Sequence, residues 1–463
     1  MTRLVIERSE TAPVHPGLHL VRHVTGTRLF EVETGRLLEI EAPLVERLEA
    51  AIATKNVSHY SAVGAEVAAD VGATMEVPTT APVCSLSLAI AQSCNLDCTY
   101  CYAEQGTFGA RPRNMSLDTA KASVDCLLRE APPGRATNLV FMGGEPLFNR
   151  NVMHETTAYA AERARREGRR IAFSITTNAT MIRPEDVELF QTYRFTVTVS
   201  IDGIGRANDQ LRPFVSGKGS YDRIRKSLAL LQRVKGRKFK IVARVTVTPK
   251  NLDLPASLRG LLGLGFDAVQ FSPLVSSPTG KEQMTSQDLE HMLAQLVHCG
   301  EVFRRGFERK HLVPLHNVIA TLKRIHSYQR EVYPCGAGGS YMGVSAQGRL
   351  YACHRFVNDE SAHMGDVDAG VNADQQREWL ASRHLASQGA CNTCWARHLC
   401  GGSCHHEVVR RGRPACDYIR GWLYYCIGLY ADLMDADPTA LQLLLGDEHP
   451  FEATERIDAA PLH

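Results

Sequence analysis

Six short apolar runs separated by helical stretches dominate the middle of this chain, between residues 85 and about 309. The runs are SLSLAI, NLVFMG, RIAFSITT, FTVTVSI, KIVARVTV and AVQFSPL. Most are rich in the β-branched and aromatic residues that suit a buried pleated surface. Between them lie helical patterns of roughly 10 to 20 residues, for example 117–129, 152–166 and 221–234. Such alternation predicts a mainly parallel sheet with helical crossovers. Six units fall short of a closed eight-stranded barrel, so the expected fold class is α/β, an open, partial (β/α)6 barrel. Chemistry in such a fold belongs at the C-terminal ends of the strands.

The flanks read differently. Residues 1–80 carry short strand patterns (LHLVRHV, RLFEVE, RLLEIE) and a helix from Pro43. They predict a small α+β domain, joined by the linker EVPTTAPV to the barrel at 81–310. Residues 311–334 read as a helical linker. Residues 335–430 are Cys- and Gly-rich with little periodicity, which predicts a fold held by metal, and the tail at 431–463 holds one short helix, PTALQLLLG. Lys and Arg number 52 against 50 Asp and Glu, which argues against a bulk electrostatic binder of nucleic acid. The N-terminus has no apolar signal region, and no run of 18 apolar residues occurs. A soluble, cytoplasmic chain with no nucleic-acid or membrane partner is expected.

Fourteen cysteines are many for a reducing compartment, where clustered thiols point to metal or catalysis rather than disulfides. Cys94, Cys98 and Cys101 form a Cys-x3-Cys-x2-Cys triplet just after the first barrel strand, with Tyr100 and Tyr102 beside the last thiol. A closed zinc site needs four ligands, so three thiolates suit a centre that keeps one position for something else. A zinc knuckle completed from elsewhere is the alternative. The next strand ends in FMGGEPLFN, where Gly143 and Gly144 would let the backbone approach a ligand, Glu145 offers a carboxylate to a cationic group, and Pro146 fixes the turn. Later strand ends supply SITTN and TVSIDG.

The triplet followed one unit later by GGEP resembles the radical S-adenosylmethionine (SAM) superfamily. The resemblance implies that Cys94, Cys98 and Cys101 hold a [4Fe–4S] cluster whose fourth iron binds the amino and carboxylate groups of SAM. It implies that Gly143, Gly144 and Glu145 bind the SAM amino group. Ser174, Thr176, Asn178, Ser200 and Asp202 would contact SAM's ribose or carboxylate, line the substrate cavity, or simply terminate strands. The stretch NDQLRPFVSGKGSYD is similar to a segment of the peptide-modifying branch. There Arg212 would reach a carboxylate of SAM or peptide, and Asp209 would be a general base or only a partner for Arg212.

The later cysteines, Cys335, Cys353, Cys391-x2-Cys394-x5-Cys400-x3-Cys404 and Cys416, resemble the SPASM domain, which carries two auxiliary [4Fe–4S] clusters. The family pattern implies Cys335, Cys353 and Cys404 on auxiliary cluster I, and Cys391, Cys394, Cys400 and Cys416 on auxiliary cluster II. Two zinc ribbons are the alternative. Three cubes hold twelve irons; the ten cysteines and SAM account for eleven. One iron of auxiliary cluster I is left for a substrate thiolate, unless Cys84 or another side chain closes it. Cys126 and Cys299 read as core residues, and Cys426 as core or a reserve ligand for auxiliary cluster II.

SPASM-type radical enzymes act mostly on peptides. The stretches CGAGGSYMGVSAQGRLYACHRF, ACDYIRGWLYYC and RLFEVETGRLLEIEAPLVERL are most similar to the thioether-forming maturases. That implies cleavage of SAM to methionine and a 5′-deoxyadenosyl radical, hydrogen abstraction, and a bond from Cys sulfur to an Asp or Glu side-chain carbon. The substrate would be a peptide or small cysteine-rich protein, and a reductase or flavodoxin would supply electrons. A formylglycine-generating sulfatase-type maturase, a carbon–carbon crosslinking enzyme and a non-catalytic zinc-ribbon scaffold are the alternatives. The N-terminal unit somewhat resembles leader-recognition domains, which take an extended peptide on a sheet edge; a packing extension is the other reading.

Overall fold

The computed structural model describes residues 17–53, 78, 80–328 and 330–446. The N-terminal strand patterns form an antiparallel sheet of β1 (Leu18–His23), β2 (Gly26–Glu31) and β3 (Leu37–Glu39). The helix Ala42–Ala53 follows, and its Leu48 packs with Leu18 and Leu29 in a small core. Residues 54–77 and 79, which include three of the eight residues of the linker EVPTTAPV, lie outside the described residues.

This sheet is docked on the C-terminal part of the chain. The His19 ring stacks on Trp395 with centroids 4.1 Å apart. The Arg22 amide donates to the Tyr424 hydroxyl, so part of the β1 edge is already covered. Glu33 sits among Arg330 at 3.0 Å, His398 at 3.2 Å and Arg397. Burial alone would raise the Glu33 carboxyl, but Arg397 and His398 outweigh it and hold it below the usual carboxylate range. Glu33→Gln leaves part-buried cations without their anion and is expected to destabilise by about 1–3 kcal/mol. Because the folded pKa is depressed, the wild-type advantage is present above the ordinary carboxylate pKa. It is lost as pH falls through the lowered value. Urea titrations of both proteins at neutral and acid pH test size and sign together.

The six expected barrel strands are all present: β4 (Ser85–Ala91), β5 (Thr137–Gly143), β6 (Ile171–Thr177), β7 (Thr196–Ser200), β8 (Lys240–Val247) and β9 (Ala268–Pro273). They pair in parallel in chain order, as successive crossovers of one hand produce. Side chains alternate across the sheet. On β8, Ile241, Ala243, Val245 and Val247 are fully buried under the helices, while Val242, Arg244 and Thr246 face the lumen. The crossover helices begin on sequence-coded caps. The Ser116 hydroxyl accepts from the Thr119 amide at 3.1 Å, and Thr285 with Asp288 forms a capping box.

The sheet does not stop at six strands. β10 (Tyr341–Val344) pairs in parallel with β4, and β11 (Arg349–Tyr351), β12 (His363–Asp366) and β13 (Gly370–Val371) extend it antiparallel, giving ten. The division expected at residue 335 is therefore a change in composition and not a break in the sheet. A four-residue strand such as YMGV is too short to show periodicity. A Cβ on Gly343 would lie 2.7 Å from the Cys353 backbone, so this glycine lets the Cys353 loop fold down on β10. The expected linker holds the helix His316–His326, and the long helix Cys416–Ala436 runs past the boundary expected at 430. No helix of the described residues is long and apolar enough to cross a membrane.

Candidate active site and cysteine groups

Beyond β4 the chain turns over the C-terminal end of the sheet and carries Cys94, Cys98 and Cys101. Two neighbours tie this loop down by backbone bonds. From the β5 turn, the Gly144 amide donates to the Ala91 carbonyl and the Glu145 amide to the Ser93 carbonyl, both at 2.8 Å. On the other side, Asp97 and Thr99 donate to the carbonyls of Pro213 and Leu211, and Val215 donates to Asn95. The segment NDQLRPFV therefore walls the cysteine loop. Its Asn208 accepts from the Asp202 amide at 3.1 Å and donates to Ser220 at 3.0 Å, which explains the spacing from Asn208 to the Gly-x-Gly-Ser end.

The three thiols lie close enough to influence one another. Burial pushes Cys94 up to about 11 and Cys98 up to about 12; the other thiols push the same way and Arg212 opposes. The Leu96 amide donates to Cys94 Sγ at 3.4 Å.

The geometry gives several of the expected site residues structural roles of their own. A Cβ on Gly143 would sit 2.3 Å from the Ala91 carbonyl oxygen, and one on Gly144 would sit 2.2 Å from that of Ser93. The glycines are required by strand-to-loop packing before any ligand is considered. Glu145 is fully buried and does not present a free carboxylate. It accepts from the Leu147 amide, the Thr177 hydroxyl at 2.7 Å and the Asn178 amide at 2.8 Å. Asn178 braces the loop, donating to Asn95 at 2.9 Å and lying 3.7 Å from Cys94 Sγ. Ser174, Thr176 and Ser200 are half-buried on the lumen face, where a ligand can meet them.

Asp202 and Arg212 do come together, but with each other. The Asp202 carboxylate accepts from the Tyr100 hydroxyl and from the Thr246 amide at 2.9 Å. Arg212 donates to the Tyr100 oxygen at 2.6 Å and lies 3.8 Å from Asp202. Burial raises the Asp202 carboxyl, and Arg212 is what opposes that. Asp209 is not part of this group. Its carboxylate accepts from the Tyr221 amide at 2.8 Å and packs on Gly219, so it fastens the start of the helix Tyr221–Gln232 and pairs with no arginine. The expected pairing of Asp209 with Arg212 is therefore not found among the described residues.

The later thiols form two further groups. Cys335, Cys353 and Cys404 act on one another, although Cys404 follows Cys400 closely in sequence. Cys391, Cys394, Cys400 and Cys416 form the other. Backbone N–H groups point at the sulfurs: Ala337 at Cys335, Arg355 and Phe356 at Cys353, Gly402 and Ser403 at Cys400, His406 and Glu407 at Cys404. Gly401, Gly402 and Ser403 all have positive φ, which turns these amides toward Cys400 as a small anion nest. Burial pushes Cys353 up to about 12 and Cys400 up to about 11, so metal must displace protons on binding. Cys84 is directed at the Pro82 carbonyl, 3.8 Å away. Cys126, Cys299 and Cys426 are fully buried in helices, and Cys426 faces Thr321. Among the described residues no group of three His, Cys, Asp or Glu side chains is arranged to hold one metal ion. A tetrahedral zinc with Zn–S near ~2.3 Å would need the thiols drawn tightly together. Backbone amides directed at the sulfurs of Cys335, Cys353, Cys400 and Cys404 fit thiolate ligands of an iron–sulfur cluster.

Between the first loop and Cys353 lies a polar layer that motif reasoning passed over. The Tyr102 ring stands 5.5 Å from the Arg355 guanidinium and edge-on to His354. Arg355 donates to Glu407 at 3.0 Å and lies 3.9 Å from Cys404 Sγ. Arg244 approaches from the lumen. Its signal in KIVARVTV was a charged residue at an inward position of an apolar strand.

A parallel half-barrel with a cysteine loop after its first strand has the α/β fold of the radical SAM enzymes. Residues 88–257 match the model of the Radical SAM superfamily. The serine-type anaerobic sulfatase-maturating enzyme of Klebsiella aerogenes is 24% identical over 344 residues, 72% of this chain and 82% of that protein. The radical SAM cyclopropyl synthase TigE of Paramaledivibacter caminithermalis is 20% identical over 365 residues, 74% of this chain and 73% of that protein. Among solved structures, anSMEcpe with bound AdoMet has the same fold. Its TM-score is 0.65 at 17% identity, over 79% of this chain and 98% of that one.

Proposed function

We propose that this chain is a radical SAM peptide maturase that joins cysteine sulfur to Asp or Glu side-chain carbons. The substrate that best fits the sequence resemblance is the small subunit of quinohemoprotein amine dehydrogenase, which would make this chain its maturation protein. The observation that carries the reading is the loop with Cys94, Cys98 and Cys101 at the C-terminal end of the sheet, accompanied by two later sets of thiols that influence one another. Cys94, Cys98 and Cys101 would hold the SAM-cleaving cluster, Cys335, Cys353 and Cys404 auxiliary cluster I, and Cys391, Cys394, Cys400 and Cys416 auxiliary cluster II.

When bound, the clusters and SAM supply one-electron cleavage of SAM to methionine and a carbon radical, and an acceptor for the electron the peptide gives up. The peptide loses two hydrogens per crosslink, one as a hydrogen atom to the deoxyadenosyl carbon and one as the thiol proton. This chain's part is positioning and exclusion of water. Gly143, Gly144 and Glu145 hold the loop, and Ser174, Thr176 and Ser200 line the lumen where SAM and peptide meet. The open iron of auxiliary cluster I would take the substrate thiolate; no thiol of this chain's second triad fills that place.

A second reading, a formylglycine-generating sulfatase maturase, is favoured by the similarity to the Klebsiella enzyme. Anaerobic reconstitution followed by dithionite, SAM and the candidate peptide separates them. About twelve irons per chain and release of 5′-deoxyadenosine are expected for either. Loss of two hydrogens with one thiol consumed and a crosslink resistant to reduction supports the first; an aldehyde with no crosslink supports the second. Zinc without iron, and intact SAM, would overturn both.

A further inference from the structure

Arg244 lies on β8, registered against Ser200 of β7 and Gln270 of β9, with its side chain on the lumen face. Among the described residues its polar contact is a long one, 3.4 Å from Nη1 to Gln270 Oε1. The other two guanidiniums of this region have anions: Arg212 has Asp202, and Arg355 has Glu407. Among the described residues no carboxylate lies in ion-pair range of Arg244. Burial pulls it down to about 10, so it is still a cation at neutral pH. Arg244 is half-buried on the lumen face, so its guanidinium can be reached from the lumen, and a ligand that displaces water there would have to bring the missing anion. The planar fork of Arg matches a carboxylate with two parallel hydrogen bonds.

The position selects the carboxylate. Arg244 is within electrostatic reach of Tyr100 and Tyr102 of the first cysteine loop and of Arg355 and Glu407 near the second set of thiols. SAM's own carboxylate is expected on the iron of the first loop, so it is already engaged. We propose that Arg244 binds the side-chain carboxylate of an Asp or Glu in the peptide substrate, and so holds the neighbouring methylene toward the SAM-derived radical. This rests on the peptide-maturase reading and deepens it, making Arg244 the residue that sets the preference for acidic residues at the bridged position.

The test uses reconstituted holoenzyme with SAM and no reductant, so that binding is read without turnover. Two fluorescent peptides from the amine dehydrogenase small subunit are compared, one with the native acidic residue and one with its amide. Wild-type enzyme is expected to prefer the acidic peptide by about 10- to 100-fold, the size of a bidentate charged contact. Arg244→Gln should lose that preference while binding the amide peptide as before, and Arg244→Lys should keep part of it. SAM affinity and iron content should match wild type. Equal binding of both peptides by wild type, or weakened SAM binding with the peptide preference intact in Arg244→Gln, would overturn the assignment. Binding of neither peptide would overturn assignment and substrate together. A preserved acidic preference with no thioether by mass spectrometry would sink the thioether reading and leave the carboxylate site standing.

Discussion

Gly144→Ala should strip the first cysteine loop of the cluster proposed for it while leaving the two proposed auxiliary clusters in place. A Cβ at residue 144 would lie 2.2 Å from the Ser93 carbonyl oxygen, 2.6 Å from its carbon and 2.9 Å from the Gly106 Cα. These are backbone atoms, so no flexible side chain can move aside. Gly106 is locked reciprocally, since a Cβ there would meet the Gly144 Cα at 2.5 Å. Relief must come from parting the β5 turn from the cysteine loop, which breaks the bonds from Gly144 and Glu145 to Ala91 and Ser93. Overpacking of this kind costs about 3 kcal/mol or more, and a shift of about 1 Å in the loop is enough for a loss of about 100-fold in SAM cleavage. Iron should fall from about twelve to about eight per chain, since the affected cube holds four. Gly263→Ala is the control, because a Cβ there meets nothing within 4 Å and the residue closes a helix. Wild-type iron and SAM cleavage in Gly144→Ala would show that the close approach is not needed.

Much of this arrangement was legible in the sequence because strand ends announce themselves. The six barrel strands are long enough for their apolar pattern to show, and the thiols, GGEP and TVSIDG follow directly at their C-terminal ends. The grouping of Cys404 with Cys335 and Cys353 came only through the family resemblance, since no local pattern separates it from Cys400 four residues earlier. What stayed hidden was pairing between distant segments. Whether Asp202 or Asp209 meets Arg212 depends on where the chain from 203 to 220 folds back. Both carboxylates precede the arginine at short range, and sequence has no rule for choosing. Likewise β10 to β13 are two to four residues long. They exist because β4 offers them an edge, a tertiary cause that local propensity cannot register. Arg244 was visible but silent, because its meaning lies in the carboxylate it lacks.

Arg212→Met should be the most destabilising single change in the barrel mouth, and Asp202→Asn in the same chain should rescue much of the loss. Asp202 is fully buried, and Arg212 is the cation opposing its desolvation. Removing one member of a buried ion pair leaves the other uncompensated and costs about 3–5 kcal/mol. The double variant removes both charges while an amide at 202 still accepts from the Thr246 amide, so a coupling of about 2 kcal/mol is expected from a double-mutant cycle. Additive losses would mean that the two side chains do not act as a pair. The cycle also separates scaffold from reagent. If the Tyr100, Asp202 and Arg212 group only supports the cysteine loop, iron content and SAM cleavage should return with stability in the double variant. If Arg212 also holds a carboxylate of SAM or peptide, stability and iron should return while cleavage does not. The hydrogen bond from Arg212 to Tyr100 and its position under the first thiols favour the scaffold outcome. The carboxylate in ion-pair range of this guanidinium is one that the protein itself supplies, whereas among the described residues Arg244 has none in that range.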